Sequence, residues 1–394
     1  MIEWVLIAIA LLLFWGFIIL AKRRYHLEKR GFSISPGVLM WRTKRGLEFI
    51  DRVGRSHKRG WRIFGNAATV VGFGLMVFMF VIIILNAVVI LTQPKIGAAA
   101  AGVRLVIPGV TIPLWEGLIA MFSLLLVHEF SHGFLLRAQG IPTKSVGGMV
   151  FIIIPGAFVE PDEKRLKKAP ILQRLRVYGA GSFANILFAL LCLAIILIVV
   201  VPRPGVYVLG TGENSSAENV GIQASMRLFS INGIEMNTWQ DYYDFTDNIR
   251  PGENFSIVAD ERLFILTTTA REDNENRGFI GMATISALPR SNFADPLFTF
   301  AAISYGIMGR TLFHPYSDNA LIPWPLVSVL TWMFLLNFAI GMFNLLPLVP
   351  LDGGYILQGV TERASSEQTA KRLSYIFSFI VLALIIVNFV PMFT

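Results

Sequence analysis

The composition of this 394-residue chain is that of a membrane protein. Hydrophobic residues make up 54 % of the sequence and charged residues only 15 %, whereas charged residues form about 25 % of an average soluble domain. The formal net charge is +8 at pH 7. A single cysteine, Cys192, excludes an intramolecular disulfide framework, and five histidines are too few for a histidine-rich di-iron desaturase.

Long apolar runs predict a polytopic α-helical membrane protein with about six transmembrane helices. A further stretch, 296–313, is shorter and carries Arg310, so we expect an interfacial or partial helix there. The six long runs cover residues 4–21, 67–92, 114–136, 178–201, 325–346 and 374–393.

The charges around the first run indicate a retained anchor rather than a cleaved signal peptide. Lys22, Arg23 and Arg24 follow the apolar core instead of preceding it, which predicts an N-terminus outside the cell. Lys and Arg also concentrate in 22–66 and 137–176, which the positive-inside rule places in the cytoplasm. A nucleic-acid partner is disfavoured, because these basic segments lack an organised aromatic and basic face.

The third run contains the sequence HEFSH. On a helix, His128 and His132 project from the same face and can offer two imidazole nitrogens to one Zn²⁺, with Glu129 beside the metal. A charged residue near the membrane centre costs about 2.5 to 3.5 kcal/mol and usually lines a functional, watered cavity. The alternative is a chance match in a polar-lined helix.

The segment after HEFSH predicts a membrane-associated β-hairpin. GGMVFIIIPGAFVE, residues 147–160, is rich in β-branched and aromatic residues around a central Pro-Gly. Phe151, Ile153 and Gly156 are its candidate substrate-binding residues, and a buried hydrophobic loop is the alternative. In the following run, Asn185 is a candidate to bond substrate backbone, and the surrounding GAGSFAN would let helices approach closely.

Residues 203–290 are acidic and lack long apolar runs, as expected of a soluble insertion between spans. Short β-like runs (VYVL, RLFSING, NFSIV and LFILTTT) accompany two helix-like pieces, SSAENVG and TWQDYYDFTDNI. Their order resembles a PDZ domain, and the alternation of spans places the domain on the extracytoplasmic side. Extended peptide ends are then candidate partners. An unrelated small α/β domain is the alternative.

Two histidines do not complete a catalytic zinc site, and Asp352 in NLLPLVPLDGG is the strongest candidate for the third ligand. Pro347 and Pro350 each remove an N–H, and the two glycines after Asp352 permit unusual backbone geometry, so a helix can open there. Irregular backbone is tolerated at membrane depth when it lines a cavity. The alternative is a proline-rich exit turn in which Asp352 makes only a local cap.

Together, HEFSH, NLLPLVPLDGG and the PDZ-like insertion resemble the site-2 protease family of intramembrane zinc metalloproteases, in its archaeal and eukaryotic branch. PGAFVE and the GxxxN element of Gly181 and Asn185 strengthen the likeness, which covers about residues 113–356. The family motifs are HExxH and NxxPxxxxDG, and the matching positions are His128, Glu129, His132, Asn344, Pro347, Asp352 and Gly353.

The resemblance implies one Zn²⁺ held by His128, His132 and Asp352, with Glu129 as general base and acid. Asn344 would stabilise the oxyanion; alternatively, it only bonds carbonyls freed around Pro347. The substrates implied are transmembrane segments of membrane-anchored proteins. We expect the cut within or near their cytoplasmic half, because HEFSH sits late in an outside-to-inside span. We expect the protein in the cell membrane, in contact with the lipid bilayer, with its PDZ-like domain limiting access to substrates already shortened outside.

These expectations divide the chain into four parts. They are an N-terminal anchor with a basic cytoplasmic loop (1–112), a first catalytic membrane part (113–201), the PDZ-like domain (203–290) and a second catalytic membrane part (291–394).

Two rival functions remain open. A membrane zincin cutting soluble chains would share HEFSH, but it would normally take a Glu ligand from a downstream helix and has no need of NLLPLVPLDGG. A non-enzymatic adaptor would keep the fold and bind partners through the PDZ-like domain. The intact Glu129 and the three candidate ligands count against the adaptor.

Overall fold

The structure is a computed structural model that describes most of the chain in two compact units. The first unit falls within Met1–Leu105, Leu118–Leu190 and Leu336–Thr394, and the second within Val106–Gly117 and Leu191–Leu335. The expected partial helix at 296–313 lies outside the described residues. Those residues are 13–22, 24–35, 37–92, 106–151, 154–202, 205–212, 215–224, 226–271, 274–287 and 317–389.

Five helices of the described residues are long and apolar enough to cross a membrane, which confirms a membrane protein with several spans. They are α3, α4, α6, α9 and α11; of the first apolar run, only α1 is described. The helices are α1 (Leu13–Lys22), α2 (Leu47–Ser56), α3 (Lys58–Thr92), α4 (Leu114–Ala138), α5 (Glu163–Lys168), α6 (Ile171–Val199), α7 (Ser216–Asn219), α8 (Trp239–Thr246), α9 (Trp324–Phe343), α10 (Asp352–Ala364) and α11 (Glu367–Phe389).

The spans differ in how much of their surface the protein covers. The most apolar 18-residue stretch is 44 % buried in α6 and in α9, but only 17 % in α3. In the first unit, α3 and α6 approach closely, because a Cβ on Gly179 would lie 2.6 Å from the carbonyl oxygen of Ala68. Small residues at such contacts let transmembrane helices pack tightly.

A four-stranded antiparallel sheet, in the order β1-β2-β3-β4, lies in the first unit. β3 and β4 form a hairpin at the position expected from the sequence, with Met149 opposite Gly156. β1 and β2 come from the basic loop after the first apolar run, where the sequence analysis predicts no strands. Their signal is the alternation in FSIS and VLMWRT around Gly37, whose φ is +71°. The strands are β1 (Phe32–Ser35), β2 (Val38–Thr43), β3 (Thr143–Phe151) and β4 (Ile154–Pro161).

The second unit contains a mixed α/β insertion. Its main sheet has the order β10-β9-β7-β6-β13, with β8 paired to β7, around a buried core that includes Val206, Ile231 and Ile257. The four expected β-like runs fall in β6, β7, β9 and β10, and the two helix-like pieces in α7 and α8. The likeness to a PDZ domain stays a prediction. The strands are β5 (Val200–Pro202), β6 (Gly205–Thr211), β7 (Arg227–Ile231), β8 (Ile234–Glu235), β9 (Asn254–Ala259), β10 (Arg262–Thr267), β11 (Thr269–Arg271), β12 (Asn274–Phe279), β13 (Met282–Ala287) and β14 (Ser317–Ala320).

Candidate metal centre and active site

The HEFSH residues lie on the second half of α4, and the last of them, His132, is six residues before the end of the helix at Ala138. His128 and His132 point to the same side, as their spacing requires, and their Nε2 atoms are 3.2 Å apart. The Nδ1 of His132 lies 2.7 Å from the carbonyl oxygen of Val177 on α6. Because a carbonyl only accepts, His132 carries its proton on Nδ1 and turns an Nε2 lone pair towards the site.

Asp352 joins the histidines because the chain between α9 and α10 is not helical. α9 ends at Phe343 and α10 begins at Asp352. The N–H of Gly353 donates to the carbonyl of Asn344 at 2.9 Å, which closes this loop. A Cβ on Gly353 would overlap the carbonyl of Leu345, so only glycine allows the closure.

The three candidate ligands lie close enough together to share one metal ion. The Nε2 of His132 lies 3.4 Å from Oδ1 of Asp352, and the Nε2 of His128 lies 3.6 Å from its Oδ2. The candidate ligand atoms of the three residues all lie within 4.8 Å of one another. This is compatible with metal–ligand bonds of about 2.0 to 2.2 Å to a single ion. Among the described residues, these three form the one group of His, Cys, Asp and Glu close enough to hold a metal.

Glu129 is held by the hairpin rather than by another side chain. Its Oε2 accepts a hydrogen bond of 2.9 Å from the backbone N–H of Val159 in β4. The carboxylate next to the candidate metal ligands is therefore tied to the open edge of the four-stranded sheet. This contact has no sequence signal, because a backbone N–H is present at almost every position.

A cavity of about 550 Å³ brings the predicted catalytic and metal residues together. The side chain of Asn344 makes no hydrogen bond within the described part of the chain, so its amide is available at the wall. The wall also carries apolar residues and a set of charged and aromatic ones, which includes Glu163, Lys167, Tyr178, Tyr355 and Lys371. The predicted residues on the wall are His128, Glu129, His132, Asn344 and Asp352.

Of the candidate substrate-binding residues, Asn185 and Gly156 do not line this cavity. Asn185 is fully buried, with its Nδ2 3.2 Å from Nδ1 of His128. Gly156 lies inside the β3–β4 hairpin, Phe151 is the last residue of β3, and Ile153 lies outside the described residues. Their binding roles remain predictions.

Residues 116–388 match the model of peptidase family M50. This chain belongs to peptidase family M50. That family is the site-2 protease family which the two motifs predict. The match covers α4, the hairpin, the insertion and the Asp352 loop, so the family assignment and the metal geometry rest on the same residues.

Known relatives agree with the family. An uncharacterized protein of Methanocaldococcus jannaschii is 26 % identical over 359 residues, which are 90 % of this chain and 85 % of the relative. Zinc metalloprotease RasP of Shouchella clausii is 23 % identical over 261 residues, 58 % of this chain and 62 % of that protein. Protease RseP of Yersinia pestis is 28 % identical over 151 residues, 31 % of this chain and 34 % of that protein. The chain thus spans less than two thirds of either of these two proteases.

Gly181 provides a test of the metal geometry. A Cβ at this position would lie 2.7 Å from Nε2 of His128 and closer still to Nε2 of His132. We expect Gly181→Ala to lower the metal affinity of the site by about tenfold or more, as disturbance of the groups around metal ligands typically does, and therefore to lower the metal retained per chain. Elemental analysis of the purified protein measures this content.

Gly74→Ala is the matched control, because it is also a helical glycine in a span, and nothing lies within 4 Å of its added Cβ. It should retain the metal. Equal metal content in both variants would contradict the assignment of the histidine Nε2 atoms as ligands.

Proposed function

We propose that this chain is an intramembrane zinc metalloendopeptidase that cleaves transmembrane segments of membrane-anchored proteins. The observation that carries the proposal is that the candidate ligand atoms of His128, His132 and Asp352 lie within 4.8 Å of one another, with Glu129 and Asn344 on the same cavity wall. Membership of family M50 and the zinc metalloproteases among the relatives support it. Zn²⁺ bound there supplies a water of lowered pKa and polarises the scissile carbonyl.

Glu129 moves the protons in this proposal. Its Oε2 is held by the Val159 N–H, which leaves Oε1 to accept a proton from the attacking water and to deliver it to the leaving amine. The amide of Asn344 lies on the cavity wall without a hydrogen-bond partner in the described residues. It can donate to the negative charge that develops on the carbonyl oxygen.

The open edge of β4 is the proposed substrate-binding surface. A transmembrane helix satisfies its own backbone, so its peptide bonds become accessible only where it unwinds. Along an antiparallel strand, successive residues point their backbone groups alternately towards and away from the partner strand. Since the Val159 N–H points to Glu129 and away from β3, the N–H and C=O of Ala157 also point to the open edge.

Two prolines restrict this edge to a short window. Pro155 and Pro161 occupy the outward-facing positions on either side of Ala157 and Val159, and a proline has no N–H to donate. Val159 already donates to Glu129. Ala157 is therefore the outward N–H of β4 left for an unwound substrate strand, which it would meet two residues from the Glu129 contact.

Charged residues around the cavity support cleavage near the cytoplasmic side. The side chains of Glu163 and Lys167 are 71 % and 76 % exposed, and both line the cavity. Such charges are stable in water and costly in hydrocarbon. They belong to the segment 137–176 that the positive-inside rule assigns to the cytoplasm, so water and products would pass on that side.

Substitution of Glu129 tests the proton-transfer role. Glu129→Gln keeps the size of the side chain and an oxygen that can accept the Val159 N–H, but it cannot accept a proton. We expect bound zinc to stay and kcat to fall by at least about 100-fold. The measurement is cleavage of a model transmembrane substrate, with and without a zinc chelator, followed by mass mapping of the cut.

Glu163→Gln, a second glutamate on the cavity wall, is the control and should cleave normally. Retained activity of Glu129→Gln would remove Glu129 as the base. A wild-type chain that binds zinc and peptide ends but cleaves nothing would favour the adaptor function.

Ala157→Pro tests the proposed edge. It removes the outward N–H of Ala157 without removing a β3–β4 hydrogen bond. The loss of one backbone hydrogen bond, about 1 kcal/mol, predicts a kcat/KM about fivefold lower, with unchanged zinc content. Ala157→Val keeps the N–H and should cleave like the wild type. Equal kcat/KM for both variants would contradict substrate pairing with β4.

The insertion gives a further test of access. We propose that the domain at 203–290 slows the entry of substrates with large extracytoplasmic parts. Deleting it should raise the cleavage rate of a full-length substrate towards that of the same substrate shortened outside, with no change for the shortened form. Paired rates for the two substrates measure the effect. An unchanged ratio would show that the insertion does not control access.

A further inference from the structure

All three candidate metal ligands are contacted by one helix, α6. His132 contacts Val177, Asp352 contacts Ser182, and His128 contacts Asn185. Ser182 and Asn185 are three residues apart and share a face of α6, and Val177 contributes its backbone carbonyl oxygen. Gly181 lies between them and leaves room for both imidazole rings. A single rigid element therefore reaches ligands that come from two other helices.

Ser182 holds one oxygen of the aspartate. Its hydroxyl donates to Oδ2 of Asp352 at 2.7 Å, and its backbone N–H lies 3.3 Å from the same oxygen. The Ser182 side chain is fully buried, so water does not compete for this bond. Oδ1 lies 3.4 Å from Nε2 of His132, and Oδ2 lies 3.6 Å from Nε2 of His128. Because Oδ2 already accepts from two donors, Oδ1 is the oxygen with the freer lone pairs for a metal ion.

Asn185 is placed to fix the second histidine. Its Oδ1 is buried without a hydrogen-bond partner, while its Nδ2 lies 3.2 Å from Nδ1 of His128. Metal binding through Nε2 puts the His128 proton on Nδ1, which then needs an acceptor. A half-turn of the Asn185 amide brings Oδ1 to that proton and satisfies both groups.

We propose that Ser182 and Asn185 are positioning residues of the zinc site. Through them, α6 orients the side chains of the candidate ligands. Ser182 restricts Asp352 to binding through Oδ1, and Asn185 keeps the His128 proton on Nδ1. Together with the Val177 carbonyl, they fix the orientation of every ligand. This inference rests on the proposed zinc site. It assigns Asn185 to the metal centre rather than to substrate, in keeping with its full burial.

Zinc affinity of the purified full-length chain, measured by competition with a chromophoric chelator, tests the proposal without reference to proteolysis. Removing a group that orients a metal ligand typically lowers affinity by about 10- to 100-fold. We expect a loss of this size for Ser182→Ala and for Asn185→Leu. Asn185→Asp keeps an oxygen acceptor for the His128 Nδ1–H and should restore most of the affinity lost in Asn185→Leu.

Ser131→Ala is the matched control. Ser131 is also a buried serine, next to His132 in sequence, but its hydroxyl donates to the carbonyl of Val127 and not to a candidate ligand. Its removal should leave zinc affinity unchanged. Wild-type affinity in both Ser182→Ala and Asn185→Leu would overturn the proposal, as would an equal loss in Ser131→Ala.

The visible absorption of Co²⁺ bound in place of Zn²⁺ gives a second measurement. It would not change if Ser182 only supported the packing of α6. If Ser182 restricts Asp352 to one oxygen, its loss lets both oxygens bind, and the visible absorption of Co²⁺ weakens as the coordination number rises. An unchanged spectrum in Ser182→Ala would overturn the one-oxygen role.

Asp352→Ala separates this inference from the proposed function. If it does not lower zinc affinity, the proposed zinc site itself fails. If it does while Ser182→Ala and Asn185→Leu bind zinc normally, only the role of α6 fails.

Discussion

The site depends on one constraint: a carboxylate must meet two imidazoles inside a membrane protein at distances that a single metal ion can bridge. His128 and His132 satisfy it locally, since a helix places residues four apart on one side. Asp352 satisfies it only because α9 ends and α10 begins beside the histidines. The two Nε2 atoms are 3.2 Å apart, and they lie 3.4 and 3.6 Å from the two oxygens of Asp352, close enough for one cation to bridge the three side chains. Without a bridging cation, such a buried group would be costly.

The second structural relation is between Glu129 and the hairpin. The bond from the Val159 N–H to Glu129 joins the proposed proton carrier to the strand edge proposed to bind substrate. In this proposal, one strand, β4, positions both the base Glu129 and the substrate peptide. The prolines at 155 and 161 limit that edge. In the proposed function, the same sequence features that limit unwanted strand pairing would also define where a substrate strand binds.

In the hairpin and the insertion, the local sequence pattern predicted most of the strands. The alternation and central Pro-Gly of 147–160 predicted β3 and β4, and the short β-like runs in 203–290 correspond to strands of the insertion. β1 and β2 were not predicted, because the basic charge around them indicated a cytoplasmic loop. Charge predicts the side of the membrane, but strand formation depends on alternating side chains and on an available partner edge, which β3 provides only in the folded chain.

The sequence by itself determined the apolar spans, the ligand types and the family, because composition, helical spacing and two motifs are local properties of the chain. Only the tertiary structure decided that α6 contacts all three ligands, that Val159 holds Glu129, and that Asn185 is buried behind His128 rather than on the cavity wall. These relations join residues far apart in sequence, and two of them use backbone groups that almost every residue type carries. Their specificity comes from where the backbone lies, and that position is fixed only when the helices and the sheet pack together.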